Sequence, residues 1–409
     1  MPEDPLKWAR DHMPIHQLLM DETKDTQPFD KYTVAVASHL EHNTGVLIET
    51  LHNAGANVLF TPSEPESTNA EVITFLDQKK GITAYAQAEM TNEAFANAQH
   101  ELLETGPDII LDDGGELISK AHQSHSSIVT DILGGVEQTT AGITRIEAMD
   151  NENVLQFPVY GANDAPMKHR FDNVHGTGES ALTNITITTN ALLAGKRVVI
   201  AGYGYVGRGI ANKARSLGAK TIVTEVDPRR ALEAHMDGHE IMPMVEAATE
   251  GEIFITATGT SNVIRKEHIN AMNEGALLSN AGHFDVEIDI EALESLADTK
   301  SEPQEGITRY HFSDDKYLDL AANGRLVNLT GPYSKGHPGE VMDTTFALMF
   351  EAARELRNTD LDPGLYQVSD RVDRQIAELK LATLDTTIDE PTEEQQAYDA
   401  NWRETDSGF

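Results

Sequence analysis

The residues Gly202-Tyr203-Gly204-Tyr205-Val206-Gly207 follow an apolar β-branched run, Arg197-Val198-Val199-Ile200-Ala201, and open a helical pattern that passes through Ile210 to Leu217. Glycines at that spacing between a strand and a helix suit a dinucleotide. The first makes the tight turn, the second lets a pyrophosphate approach the backbone, and the third permits close helix packing, with the phosphate at the positive end of the helix. Glu225 closes the next strand, 23 residues after Gly202, where a carboxylate can take the two ribose hydroxyls of NAD. An acid there favours NAD over NADP, although Arg229 and Arg230 stand close enough to hold a 2'-phosphate. In a chain with 30 glycines a triplet alone is a weak signal. Its setting of strand, helix, strand and acid makes it specific.

The elements that must position such groups read as α/β. Short β-branched runs alternate with helical patterns from about Tyr32 to Asn280, the signature of parallel sheets covered by helices. Strands are expected at Thr33–Ala37, Asn57–Phe60, Asp108–Leu111 and Phe157–Tyr160, with a helix over Thr44–Asn53. A second α/β unit begins near Lys196 and continues through strands at Thr221–Thr224, Ile253–Thr256 and Ala276–Ser279. After Pro338 the pattern predicts a helix over Asp343–Arg357, a turn at Asp362–Tyr366, further helix, and an acidic, lysine-free segment from Leu381 to Phe409. Ligands of open α/β sheets sit beyond the carboxyl ends of strands, which singles out His39, Asp112-Asp113-Gly114-Gly115 and Asn163-Asp164.

Composition narrows the function classes. A chain of 409 residues is longer than one core usually supports, so two domains and a tail are expected. With 67 acidic against 31 basic residues the formal charge is −36, which makes nucleic acid a poor partner because phosphate binding needs basic groups to release counterions. No apolar run is long enough to cross a bilayer, and the amino terminus lacks a basic region followed by an apolar stretch, so no membrane partner is expected and the cytoplasm is the default location. The chain has no cysteine, which excludes thiol catalysis. Self-repulsion of −36 charges destabilises a compact state at low salt, whereas a Debye length of roughly 3 Å at 1 M salt removes most of that cost. A halophilic source is the expectation. No metal site is indicated: the 16 histidines form no His-Glu-x-x-His pattern, and His12 and His16, four apart, read as a helix surface or an amino-terminal cap.

Many ordered segments resemble the S-adenosylhomocysteine hydrolase family in its archaeal form, as far as about residue 380. They include Ser38-His39-Leu40-Glu41, Thr44-Gly45-Val46-Leu47-Ile48-Glu49-Thr50-Leu51, Ser67-Thr68-Asn69, Leu111-Asp112-Asp113-Gly114-Gly115 and Glu137-Gln138-Thr139-Thr140. Further on come Asn163-Asp164, Lys168-His169-Arg170-Phe171-Asp172-Asn173, Asn280-Ala281-Gly282-His283-Phe284-Asp285-Val286-Glu287, Gly324-Arg325-Leu326-Val327-Asn328-Leu329 and Gly336-His337-Pro338. The resemblance implies two Rossmann-like doubly wound domains. A discontinuous substrate domain, here 1–178 with 338–380, would enclose an NAD-binding domain over 179–337, followed by a short tail over 381–409. It also implies a homotetramer and a nucleoside thioether substrate. That substrate is opened by oxidation at the ribose 3'-hydroxyl, elimination of homocysteine, addition of water and re-reduction, because a thioether offers no good leaving group for direct attack.

By the same resemblance Lys168 and Asp172 sit at O3', Asp113 is the base for C4', and His39 and His283 handle protons and water at C5'. A lysine desolvated beside an aspartate can have its pKa moved toward working pH; the plainer reading of this pair is a surface ion pair four apart on a helix. Asp113 reads equally as a turn residue, and a histidine after a strand as a hydrogen-bonded loop residue. Gln138, Glu41, Asn43, Thr68 and His337 fall at substrate positions, and the Gly-His-Pro loop reads as a hinge. Thr139, Thr140, Asn173, Gly202, Gly204, Tyr205, Val206, Gly207, Glu225, Thr258, Gly282 and Asn328 fall at cofactor positions. The chain departs from the family at Gln138, where most members carry a second glutamate, and at Glu41 and Asn43, where the base is read. The stretch from Asn328 to His337 reads two residues long, and the tail lacks a Lys and Tyr pair. Base specificity therefore stays open between adenosyl and inosyl substrates. Competing readings are a dehydrogenase of small acids and a weakened homologue that binds NAD or nucleoside.

Overall fold

The computed structural model describes residues 4–65, 67–88, 90–124, 127–313 and 315–400. Strands β1 Thr33–Ala37, β2 Asn57–Thr61, β3 Ile82–Ala84, β4 Ile109–Asp112, β5 Gly134–Glu137 and β6 Pro158–Gly161 form the first sheet. Strands β7 Arg197–Ala201, β8 Lys220–Thr224, β9 Glu240–Ile241, β10 Ile253–Thr256, β11 Ala276–Asn280, β12 Thr299–Gln304, β13 Ile307–His311 and β14 Tyr317–Ala321 form the second. A late strand, β15 Gly364–Gln367, returns to the first sheet.

The first sheet runs β15-β6-β5-β4-β1-β2-β3, and its pairings are parallel throughout. The second runs β12-β13-β14-β11-β10-β7-β8-β9, parallel from β14 to β9, with antiparallel β13 and β12 at one edge. Each sheet thus contains the doubly wound order in which the first strand of the unit lies beside the fourth, which opens a crevice at the carboxyl ends between them. The central strands are apolar on both faces: Val34 to Ala37 and Val198 to Ala201 are buried without alternation, as expected of parallel strands covered by helices on both sides.

The expected strands are all present, to within a residue or two at their ends. One expectation is corrected: Asp362–Tyr366 is not merely a turn, since β15 begins at Gly364 and pairs in parallel register with β6, Leu365 opposite Val159. Turn residues Pro363 and Gly364 carried the local signal, while the strand exists only because β6 offers it an open edge. The helix expected over Asp343–Arg357 spans Gly339–Leu356 and is buried on almost every face. Residues 6–167 and 342–376 share one apolar cluster, with Phe350 meeting Phe29 edge-on at 5.3 Å, whereas two other clusters draw only on residues 181–327. The chain therefore leaves the first core, builds the second, and returns.

His16 is another correction. It is fully buried rather than on a helix surface, and its Nδ1 lies 3.0 Å from Asp343 Oδ1, while His12 stacks on Trp8. Asp343 also accepts the backbone amides of Ile15 and His16 and the Lys380 ammonium, so one buried carboxylate ties both chain ends to the central helix.

Candidate active site

Two fans of strand ends face one cleft of about 1250 Å³. From the first sheet, β1 delivers Ser38 and His39, β4 delivers Asp113, β5 delivers Gln138 and Thr139, and β6 delivers Asn163. From the second, β7 delivers Gly202, β8 Glu225, β10 Thr258, and β11 Gly282 and His283.

Asp113 lies where the fans meet. Its Oδ2 accepts from Gln138 Nε2 at 2.5 Å and from Ser38 Oγ at 3.4 Å. His39 Nε2 is 3.7 Å from the same oxygen, and His283 Nδ1 is 4.0 Å from Oδ1. Burial drives both imidazoles toward the neutral form, His283 down to about 4, with Asp113 opposing the shift in each. His39 Nδ1 is fixed by Ser67 Oγ at 2.7 Å. Behind Asp113, burial raises the carboxyls of Asp112 and Glu137. Glu137 accepts from the amides of Gly114 and Thr139 and from the Thr139 hydroxyl, which locks the two loops together.

Lys168 and Asp172 form a buried pair at 3.2 Å, with only 7% and 3% of their side chains exposed, which rules out the surface reading. The pair lies at the entry to the π-helix His169–Thr177, a winding frequent at functional sites. Lys168 donates to Asn173 Oδ1 at 2.6 Å, and Asn173 donates in turn to Asn163. Burial alone would raise the Asp172 carboxyl, but Lys168, His337 and the Thr345 hydroxyl outweigh it and hold it well below its ordinary value. His337 Nδ1 is 2.6 Å from Asp172 Oδ1, and its Nε2 is 3.2 Å from Thr177 Oγ1.

The second wall fits a dinucleotide. Gly202 has φ +96°, and a Cβ on Gly207 would lie 2.0 Å from the Gly202 carbonyl, so the turn and the helix contact both require glycine. At Gly204 a Cβ would find open space up to Arg230, the room a pyrophosphate needs. Glu225 accepts the amides of Tyr203, Val226 and Asp227, which sets its carboxylate at the strand end. Arg229 is engaged by Asp227, leaving Arg230 on the cleft wall. Asn328 donates to Ser180 and keeps a buried Oδ1 without a protein partner, suited to the N–H of a carboxamide.

The family description "S-adenosyl-L-homocysteine hydrolase" matches residues 3–126, and its "NAD binding domain" matches residues 173–333. The chain is 45% identical over 400 residues to the adenosylhomocysteinase of Halobacterium salinarum, covering 97% of this chain and 94% of that protein. It belongs to the S-adenosyl-L-homocysteine hydrolase family. Identity is also 45% to the Haloquadratum walsbyi adenosylhomocysteinase, over 97% of this chain and 92% of that protein. It is 46% to the S-inosyl-L-homocysteine hydrolase of Methanocaldococcus jannaschii, over 98% of this chain and 96% of that protein. As in the family, the cofactor is NAD and the fold is two α/β units with the NAD-binding domain inserted.

Most of the expected site residues of this hydrolase line the one cleft: His39, Glu41, Asp113, Gln138, Thr139, Thr140, Lys168, Asp172, Asn173, Gly202, Gly204, Tyr205, Val206, Glu225, Thr258, Gly282, His283, Asn328 and His337. Gly207 instead packs beneath Gly202. Asn43 stands behind the wall, donating to the His337 carbonyl at 3.0 Å and to Glu41 at 3.4 Å. Thr68 does not line the cleft; its hydroxyl donates to the Pro65 carbonyl. Sequence reasoning missed Glu287, a buried carboxylate that accepts from the Thr258 amide and hydroxyl and from the Gly259 amide, fastening the cofactor loop to the segment bearing His283. Ser67, Thr345 and Ser180 were missed as well, because short hydroxyl side chains carry no signal until their partners are known.

Two outcomes follow. Gly207→Ala should retain NAD roughly thirtyfold less tightly, about 2 kcal/mol, because its methyl group collides with backbone; bound nucleotide per purified chain is the measurement, and undiminished NAD would contradict the packing argument. The second concerns Glu41. Burial pushes its carboxyl up to about 8, with Asn43 opposing and Asp172 and Asp113 adding to the rise. The folded chain then holds a proton that the unfolded chain releases above about pH 4.5, so Glu41 costs stability increasingly as pH rises from 4.5 to 8. Denaturant midpoints of the wild type should therefore fall relative to those of Glu41→Gln across that window, and a pH-independent difference would refute the protonated state.

Proposed function

We propose that this chain catalyses the reversible hydrolysis of S-adenosyl-L-homocysteine to adenosine and L-homocysteine, using its bound NAD. One observation carries the reading: the proton-handling groups Asp113, His39, His283, Lys168 and Asp172 converge on the same cleft whose opposite wall is built for a dinucleotide. When bound, NAD supplies reversible oxidation of the ribose 3'-carbon, which acidifies the C4' proton and makes the C5'–sulfur bond breakable by elimination.

The chain's own residues divide the proton work. Lys168, held by Asp172 and Asn173, handles the 3'-hydroxyl proton: its amine form accepts that proton, and its ammonium form, paired with Asp172, gives it back. Asp113 takes the C4' proton; the Gln138 amide supports its carboxylate without adding the second negative charge a glutamate would bring. His39 and His283, driven toward neutrality by burial, stand ready to exchange protons with the departing thiolate and the incoming water. Glu41 and His337 bound the region assigned to the base, Asn43 braces both from behind, Thr68 supports the Ser67 turn behind His39, and the loop through His337 closes the cleft against water. Residues 1–178 with 338–380 form the substrate domain, 179–337 the NAD-binding domain and 381–409 the tail, of which 401–409 lie outside the described residues. The assembly is a homotetramer in the cytoplasm of a halophile, a reading supported by family membership and the charge of −36.

A second substrate is favoured by a specific observation: relatives named S-inosyl-L-homocysteine hydrolase are as similar to this chain as the halophilic adenosylhomocysteinases. Purified protein in high salt should release homocysteine thiol from S-adenosylhomocysteine, and the same assay with S-inosylhomocysteine ranks the two bases. Thiol from neither would end the hydrolase reading. Lys168→Ala should slow 3'-oxidation by about 10²–10⁴-fold while NAD stays bound, and an unchanged rate would remove Lys168 from its role. Activity and sedimentation should both decline as salt is diluted; full activity in dilute buffer would set aside the halophilic origin.

A further inference from the structure

His39, Asp113 and His283 come from two sheets and three separate stretches of sequence, yet they aim two imidazole nitrogens and a carboxylate at one small volume. His39 Nε2 and Asp113 Oδ2 are 3.7 Å apart, His283 Nδ1 and Asp113 Oδ1 are 4.0 Å apart, and one donor atom from each residue lies within 4.8 Å of the other two. A tetrahedral zinc ion with ligands at about 2.0–2.1 Å holds them roughly 3.4 Å from one another. Shifts of about 1 Å or less, shared among three side chains, would close the trio onto one ion.

The surroundings are those of a site rather than a chance approach. His39 Nδ1 is held by Ser67 Oγ, which fixes the ring and leaves Nε2 for the cluster, the outer arrangement that orients metal-bound imidazoles. Asp113 is steadied by Gln138 and Ser38 and has 3% exposure. Burial favours the neutral form of both imidazoles, the form that binds metal. Two nitrogen ligands exclude the oxygen-seeking Mg²⁺ and Ca²⁺ and select a borderline ion.

We propose that His39, Asp113 and His283 form a site for a divalent ion of the zinc class, and that its occupancy stops turnover. Three protein ligands leave a fourth position open to water or to an alkyl thiolate. Inhibition follows because a lone pair bound to metal cannot accept a proton, and this half of the proposal rests on the hydrolytic reading above.

The test uses metal-free enzyme with NAD bound, titrated with Zn²⁺, and with Co²⁺ as a coloured probe. One ion per chain should bind, with a visible Co²⁺ spectrum of four-coordinate type, and activity should fall at least about tenfold at saturation and return on chelation. By equilibrium dialysis, His39→Asn and His283→Asn should each weaken Zn²⁺ binding by about a hundredfold, whereas His12→Asn should not change it. No saturable binding, or binding indifferent to both cluster variants, would overturn the site. Full activity with one ion bound would overturn the inhibitory role. Zn²⁺ bound through the cluster in a protein that releases no thiol from either substrate supports the site and counts against the hydrolase reading alone.

Discussion

Asp172 is a carboxylate almost wholly removed from water, and the rest of the cleft is arranged around keeping it charged. Desolvation of an ion costs several kcal/mol even after relaxation, so a buried carboxylate persists only with close, well-directed partners. Asp172 has three, and each belongs to a different part of the chain: Lys168 before the π-helix, His337 in the loop leaving the second unit, and Thr345 on the central helix. Removing any one leaves the others facing an under-compensated charge. The same contacts that hold Lys168 in the cleft therefore also fix the point where the chain crosses back into the first sheet. Catalytic placement and domain connection share one electrostatic knot.

The remaining order comes from sheet topology. Two parallel sheets with their carboxyl ends turned toward each other concentrate loop residues from eight strands in one volume without any of those strands being adjacent across the domains. Glu137 and Glu287 serve corresponding ends in the two halves, each a buried carboxyl group that accepts from loop amides and a threonine hydroxyl, Glu137 through Oε1 alone. Gly142 and Gly282 make room for them, since a Cβ at either would overlap the carboxylate. Loops pinned in this way lose little freedom when a ligand arrives, which is what a site assembled from many segments requires.

The fold was legible wherever a local signal matched the global structure. Apolar runs such as Val198 to Ala201 announce buried parallel strands, and Gly202, Gly204, Gly207 and Glu225 announce their own partner because the chemistry of the turn lies within one stretch of chain. β15 was not legible, since its pairing depends on an edge that residues 158–161 supply from far away. His16 was misread for the same reason: the buried Asp343 that holds it lies at the other end of the chain. At the site, residue types and the family resemblance brought Lys168, Asp172, Asp113, His39 and His283 forward, but spacing alone pointed to a surface pair, a turn and two loop histidines. Burial distinguishes these readings, and burial is a property of the folded chain.

Charge separates the molecule into two electrostatic regimes. The surface carries most of the 67 carboxylates, and the exposed helix Glu393–Ala400 with the acidic residues before it shows how densely they stand. There, interactions between charges weaken as the Debye length shrinks to roughly 3 Å at 1 M salt. The Lys168–Asp172 pair is buried in protein, and mobile ions do not come between partners 3.2 Å apart. Salt can thus relieve the repulsion of the surface while leaving the fields that tune the cleft almost unchanged. A chain can accumulate surface acids for a saline medium without retuning its chemistry, provided its working charges are buried and paired with each other, as they are here.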